Sequence, residues 1–308
     1  LIPDYSLFDL GVYAFTQKTI KHITLSGGVR FDNRDVHASP LLDGSSIKGN
    51  AFKRSFSNFS GSIGMAAQVT DAVNLKFNIA RGFRAPSIPE LASNGAHEGT
   101  IRYEYGNTRL KSETSLQLDA GVDYNTEHIS VGLSAFYNSF DNFIFYRKLQ
   151  SAMGSDSIVN YNGEDLTAFQ FDQTKAALTG LEATVDIHPH PLDWLHILNT
   201  FSVVSGQLRN PVEGNTYLPF IPASKLVTEF KGSFNRLTKQ VRNFYIKFEV
   251  DNTFTKRNVF TAYNTETVTT GYTLLNAGIG TDFVNKKDQT IFSLGFSAMN
   301  IGDVAYQN

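Results

Sequence analysis

Alternation with a period of two runs through this chain over segments longer than a soluble sheet requires. Residues 115–124 (SLQLDAGVDY) place Leu116, Leu118, Ala120, Val122 and Tyr124 on one face and Ser115, Gln117, Asp119, Gly121 and Asp123 on the other. Residues 129–137 repeat the pattern, with Ile129, Val131, Leu133, Ala135 and Tyr137 opposite Ser130, Gly132, Ser134 and Phe136. Residues 23–32 and 244–253 do the same, setting Ile23, Leu25, Val29 and Phe31, and Phe244, Ile246, Phe248 and Val250, against polar or small neighbours. Each segment therefore has one apolar face and one that tolerates water, the mark of a strand.

The pattern predicts twelve strands, at 5–17, 20–33, 55–70, 73–84, 113–125, 128–146, 176–188, 194–207, 223–236, 242–255, 271–284 and 289–301. Strands in globular sheets are usually about 5–6 residues. Twelve residues at about 3.3 Å each reach about 40 Å, and a tilt of about 40° leaves about 30 Å of height, enough to cross an outer membrane. Connections alternate between short (near 18–19, 71–72, 126–127, 189–193, 237–241 and 285–288) and long (34–54, 85–112, 147–175, 208–222 and 256–270). Tight turns at one end and long loops at the other describe an up-and-down transmembrane barrel, with the loops outside the cell. Tyr124, Trp194, Phe234 and Phe283, near strand ends, suit an interfacial aromatic girdle.

Composition agrees where it bears on this. Charged residues are 18% and aromatics 13%, with 25 Phe and 24 Gly in 308 residues. The mean hydropathy of −0.20 is near neutral, as expected when lipid-facing and lumen-facing residues alternate. No run approaches the roughly 18 apolar residues of a membrane helix. A net charge of −2 gives no field for nucleic acid, and the absence of cysteine excludes a disulfide scaffold and a thiolate metal site. The first residues, LIPDYSLFDL, are not a signal peptide. Twelve strands would leave two open edges, so the chain is expected to be a portion of a larger barrel domain, covering 1–308, with strands before it and a final strand after it.

Residues 79–113 read IARGFRAPSIPELASNGAHEGTIRYEYGNTRLKSE. A strand ending in Arg-Gly-Phe-Arg-Ala-Pro, then Pro-Glu-Leu, then Gly-Asn-x-x-Leu-x-x-Glu opening the next strand, resembles the signature stretch of TonB-dependent receptors. The stretch Glu113–Leu118 and the closing Ala298-Met299-Asn300-Ile301-Gly302-Asp303-Val304-Ala305-Tyr306 extend the resemblance. It implies an all-β fold, the C-terminal portion of a 22-stranded outer-membrane barrel, with an N-terminal plug domain outside this chain. It also implies energised uptake of a scarce ligand through the periplasmic partner TonB, in contact with outer-membrane lipid and lipopolysaccharide. A ferric siderophore or other iron chelate is the default ligand, because that is the commonest family activity. Haem, cobalamin, an oligosaccharide and a passive porin-like role are the alternatives.

Within this stretch Pro86 and Pro89 remove ladder donors and end a strand. Arg84 shares the polar face with Lys76 and Asn78, and Glu113 that with Ser115 and Gln117, so an Arg84–Glu113 ion pair in the lumen is expected to brace loop 85–112. Loop candidates for ligand contact are His97, Glu98, Tyr103, Tyr105, Asn107 and Tyr146, with Phe145 beside them. Haem receptors of this kind carry a Phe-Arg-Ala-Pro box and an Asn-Pro-Asn-Leu box around a ligating His. Here the first is Phe83-Arg84-Ala85-Pro86, but the second is degraded to Asn107-Thr108-Arg109-Leu110. His97 is therefore read first as a solvated side chain.

Other signals carry less. His188-Pro189-His190-Pro191 supplies half a ligand set and reads as a plain turn, so no metal and no cofactor are expected. Asp32, Asp35, His37 and Asp43 lack EF-hand spacing, and Gly278-Ile279-Gly280 lies in an alternating strand. GxSxG, HExxH and P-loop motifs are absent, and Asp119 and Asp123 read as hydration of a polar lumen, so an enzyme is not expected.

Overall fold

The computed structural model describes residues 2–97 and 99–306. In chain order the elements are β1 (Tyr5–Ile20), β2 (Ile23–Ala38), β3 (Leu41–Asp43), β4 (Ser46–Gly49), β5 (Phe52–Gln68), β6 (Val73–Arg84), the short helix α1 (Ile88–Ala92), β7 (Asn94–Ala96) and β8 (Arg102–Tyr105). They continue with β9 (Glu113–Asn125), β10 (Ile129–Lys148), β11 (Ile158–Tyr161), β12 (Glu164–Ile187), β13 (Leu195–Val212), β14 (Asn215–Tyr217), β15 (Lys225–Arg236), β16 (Val241–Thr253), β17 (Tyr272–Val284) and β18 (Thr290–Ala298). Twelve of these form one antiparallel meander in the order β1-β2-β5-β6-β9-β10-β12-β13-β15-β16-β17-β18. They are the twelve strands that the alternation predicts.

The register carries the apolar faces into continuous rows. Leu25, Met65, Phe77, Ala120, Ala135, Leu181 and Val203 stand opposite one another from β2 to β13. Phe230, Phe248, Ala277 and Ala298 continue such a row from β15 to β18. These side chains are not buried against a second layer: Ile63 is 74% exposed and Ile79 55%. Among the described residues the only other sheet is the two-stranded β3–β4 hairpin. The opposite face is a polar ladder. Asn78 donates to Asp119 at 3.0 Å, Gln117 donates to Asp119 at 2.7 Å, Lys247 pairs with Glu229 at 2.9 Å, and Lys76 pairs with Asp123. Large rings interrupt this inner face where a glycine makes room: an added Cβ would meet the ring of Phe136 at 2.2 Å on Gly180 and that of Tyr245 at 2.5 Å on Gly280.

The two ends differ. At the short-turn end Trp194 stacks on Phe234 with ring centroids 5.5 Å apart, and Phe283 stacks on Phe292 at 4.6 Å, which makes an aromatic row. At the long-loop end lie both buried clusters. One joins Val36, Phe56, Ala85, Ile88, Leu91, Leu110, Ile144 and Phe171; the other joins Ala176, Leu208, Val212, Leu218 and Phe260.

Several strands overrun their predicted ends in this direction. β2 reaches Ala38 and β13 reaches Val212, while β12 begins at Glu164 rather than near 176. The predicted loops 34–54 and 147–175 thus hold strand extensions and small hairpins. The reason is visible in β12, where Leu166, Ala168, Phe169 and Phe171 are all buried. In this half of β12 both faces are covered, so alternation fades although the backbone ladder continues.

Candidate functional site

The segment between β6 and β9 folds down against the barrel wall instead of standing free in solvent. It begins where Ala85 and Pro86 end β6, and α1 buries Ile88 and Leu91. The β7–β8 hairpin follows, and β8 pairs in parallel with Thr167–Gln170 of β12. The return passes so close to α1 that a Cβ on Gly106 would fall 2.3 Å from the backbone nitrogen of Ala92.

Arg84 is the centre of the brace. Its Nη1 lies 2.8 Å from both carboxylate oxygens of Glu90, and its Nη2 lies 3.3 Å from Glu113 Oε2. Glu90 is thus the tighter partner. Its Oε2 also accepts from the backbone N–H of Ser87 at 2.6 Å, which ties the start of α1 to the same charge. Glu113 in turn accepts from the backbone N–H of Ile144 at 2.9 Å, linking the brace to β10.

The C-terminal part of the segment is held by side chains far away in sequence. Arg54 donates to the carbonyl oxygens of Thr108 and Leu110. Gln173 donates to the Lys111 carbonyl at 2.7 Å and accepts from the Lys111 N–H at 2.9 Å. Asn107 donates to the Phe171 carbonyl at 3.1 Å, and its own Oδ1 accepts from the N–H of Arg109 at 3.0 Å, closing a turn.

The candidate contact residues fall into two groups. Tyr103 is 5% exposed; its hydroxyl donates to Asn94 Oδ1 at 2.7 Å, and its ring packs between those of Tyr105 and Tyr161 at 5.0 and 5.7 Å. Burial raises its phenol above the ordinary tyrosine range. Asn107 is spent on the turn just described. Tyr105 and Tyr146 keep part of their surface; Tyr146 packs on Phe171 at 4.5 Å and under the Arg102 guanidinium at 4.8 Å. The side chain of His97 is half exposed, with Nδ1 3.2 Å from the buried carboxylate of Glu104, which Arg102 also approaches at 3.6 Å. Glu98 lies outside the described residues.

Sequence reasoning missed Glu90, Arg54 and Gln173. Glu90 had a local signal, since Ser87-Ile88-Pro89-Glu90 has capping-box spacing. Arg54 and Gln173 had none, because their partners are backbone groups brought close only by the fold.

An apolar-out, polar-in meander with short turns at one end and loops folded inward at the other is the wall of a transmembrane β-barrel. The profile of the family described as "TonB dependent receptor-like, beta-barrel" matches residues 2–301, and the chain belongs to that family. Its relatives include the ferric enterobactin receptor of Pseudomonas aeruginosa, 29% identical over 176 residues, which are 53% of this chain and 20% of that protein. The ferrienterobactin receptor of Escherichia coli is 29% identical over 194 residues, 59% of this chain and 22% of that protein. Each match thus spans about a fifth of the relative's length. Among solved structures, the copper transporter OprC superposes with a TM-score of 0.76 at 15% identity, over 99% of this chain and 43% of that one, a likeness of fold.

Proposed function

We propose that this chain is barrel wall and extracellular loop framework of an outer-membrane receptor that takes up a ferric siderophore with energy delivered through TonB. The observation that carries the reading is loop 85–112, pinned through Arg84, Arg54 and Gln173 to strands on either side of it. A loop fixed this firmly at the barrel mouth can present a preformed surface to a ligand. Tyr103 and Asn107 frame that surface, and His97, Tyr105 and Tyr146 supply its contacts.

Charge supports an anionic ligand such as a ferric catecholate. Arg147 is neutralised by Asp172 at 2.6 Å. Arg109 and Lys111, both exposed, have no carboxylate partner among the described residues. The relatives named for enterobactin support the same class. The likeness to a copper transporter is one of fold and leaves the ligand open.

The test is uptake. The full-length receptor is expressed in an iron-starved strain lacking its own catecholate receptors, and radioiron accumulation is followed from ferric enterobactin and, in parallel, from haem. The expected result is TonB-dependent accumulation from the catecholate complex. Accumulation from haem alone would overturn the siderophore reading. Entry independent of TonB would overturn energised uptake.

A further inference from the structure

Four of the seven histidines, His128, His188, His190 and His196, gather at the short-turn end around the connection from β12 to β13. Sequence spacing singles out His188 and His190, but the fold separates them. His190 turns away, its Nδ1 3.4 Å from Asp193, and its ring rests 5.6 Å from that of His128. The residues brought together instead are Asp186, His188 and His196, whose ligand atoms all lie within 4.8 Å of one another.

We propose that Asp186, His188 and His196 form a binding site for a divalent transition cation of the zinc or copper class, on the inner face of the barrel wall at its short-turn end. Asp186 and His196 occupy the polar parity of their strands, since their neighbours Val185 and Ile197 continue the apolar one, and Asp186 stands opposite Leu198 across the β12–β13 ladder. His188 sits one residue past β12, held by its backbone N–H donating to the His128 carbonyl at 2.8 Å. Its Nε2 is 2.8 Å from Asp186 Oδ2, which in turn is 3.8 Å from His196 Nδ1.

Bonds of about 2.1 Å to nitrogen and oxygen place neighbouring ligand atoms about 3.0–3.4 Å apart. Two of the separations, 2.8 and 3.8 Å, bracket that range and the set stays within 4.8 Å, so a cation fits once the side chains turn to draw their ligand atoms together. Two imidazoles and one carboxylate make a donor set that suits zinc, copper or nickel and leaves further positions open.

A second observation points to the same place. Asp186 Oδ1 is buried with no hydrogen-bond partner among the described residues, a costly state for a carboxylate oxygen that an ion beside it would relieve. The nearest cation in register does not supply that relief. Lys231, opposite His196 on β15, directs its ammonium over the ring of Tyr245 at 5.2 Å.

The experiment uses the full-length, tag-free receptor in detergent, stripped with chelator and titrated with zinc by calorimetry. Copper-loaded samples are read by electron paramagnetic resonance. The wild type is expected to bind one zinc equivalent more than either H188A or H196A, while H190A and H97A bind as the wild type does. The copper spectrum of the wild type is expected to show coupling to two imidazole nitrogens, a signature that needs no variant to fold. Equal zinc stoichiometry in the wild type and both H188A and H196A would overturn the site. So would a copper spectrum with no imidazole coupling. Either result is independent of which ligand crosses the barrel.

Discussion

A carboxylate in this structure acts according to how many groups it ties together. Glu90 accepts two contacts from Arg84 and one from the Ser87 N–H, whereas Glu113 accepts one longer contact from Arg84 and one from the Ile144 N–H. Arg84 is 45% exposed, so solvent screens both pairs and each is worth about 1 kcal/mol. Hydrogen exchange is therefore expected to rise across 85–112 in both E90A and E113A, and more in E90A. Unchanged exchange in both would show that Arg84 does not hold the loop. Tyr103 allows a pH prediction. Its phenol is raised by burial, so the folded state favours the neutral form that donates to Asn94. That contribution is complete below the ordinary tyrosine range of about 10 and is lost as pH climbs from there toward the raised value. Y103F is expected to lose about 1 kcal/mol of local stability at neutral pH, measured as faster exchange in the β7–β8 hairpin. It is also expected to flatten the alkaline loss of protection.

At the scale of elements, the close crossing of loop and helix is the least forgiving feature. A Cβ on Gly106 meets three backbone atoms at the end of α1, in Leu91, Ala92 and the following Ser93, at 2.5, 2.3 and 2.6 Å, and none can rotate away. G106A is expected to unseat β8 from β12 at a cost of about 1–3 kcal/mol. Limited proteolysis would show it as cleavage within 85–112 while the long strands stay intact. Legibility in the sequence follows the environment of each element. Strands such as β6 and β9, which have lipid on one side and lumen on the other, were readable to the residue at both ends. The first half of β12 was not, because Phe169 and Phe171 bury on one parity and Leu166 and Ala168 on the other. Arg84 and Glu113 were legible as candidates by parity alone, whereas Arg54 and Gln173 bond backbone groups more than fifty residues away and leave no local pattern.

For the whole molecule the decisive property is that its largest apolar surface faces outward. On the proposed lipid face, I63R places a charge within the belt. It is expected to cost about 2–4 kcal/mol near the bilayer midplane, measured by reversible unfolding of the full-length receptor in phospholipid vesicles. S62R, one residue along and on the inner face, is expected to cost far less. Equal costs would contradict the assignment of the two faces. The chain by itself determined the twelve long strands of the meander, the alternation of faces and the alternation of short and long connections. All three follow from the two-residue repeat of an extended backbone and from where that repeat stops. Only the tertiary structure decided which side chains meet across the sheet. The brace of Arg84 by Glu90, the seating of loop 85–112 and the convergence of Asp186, His188 and His196 depend on register and on chain crossings, which a one-dimensional period does not encode.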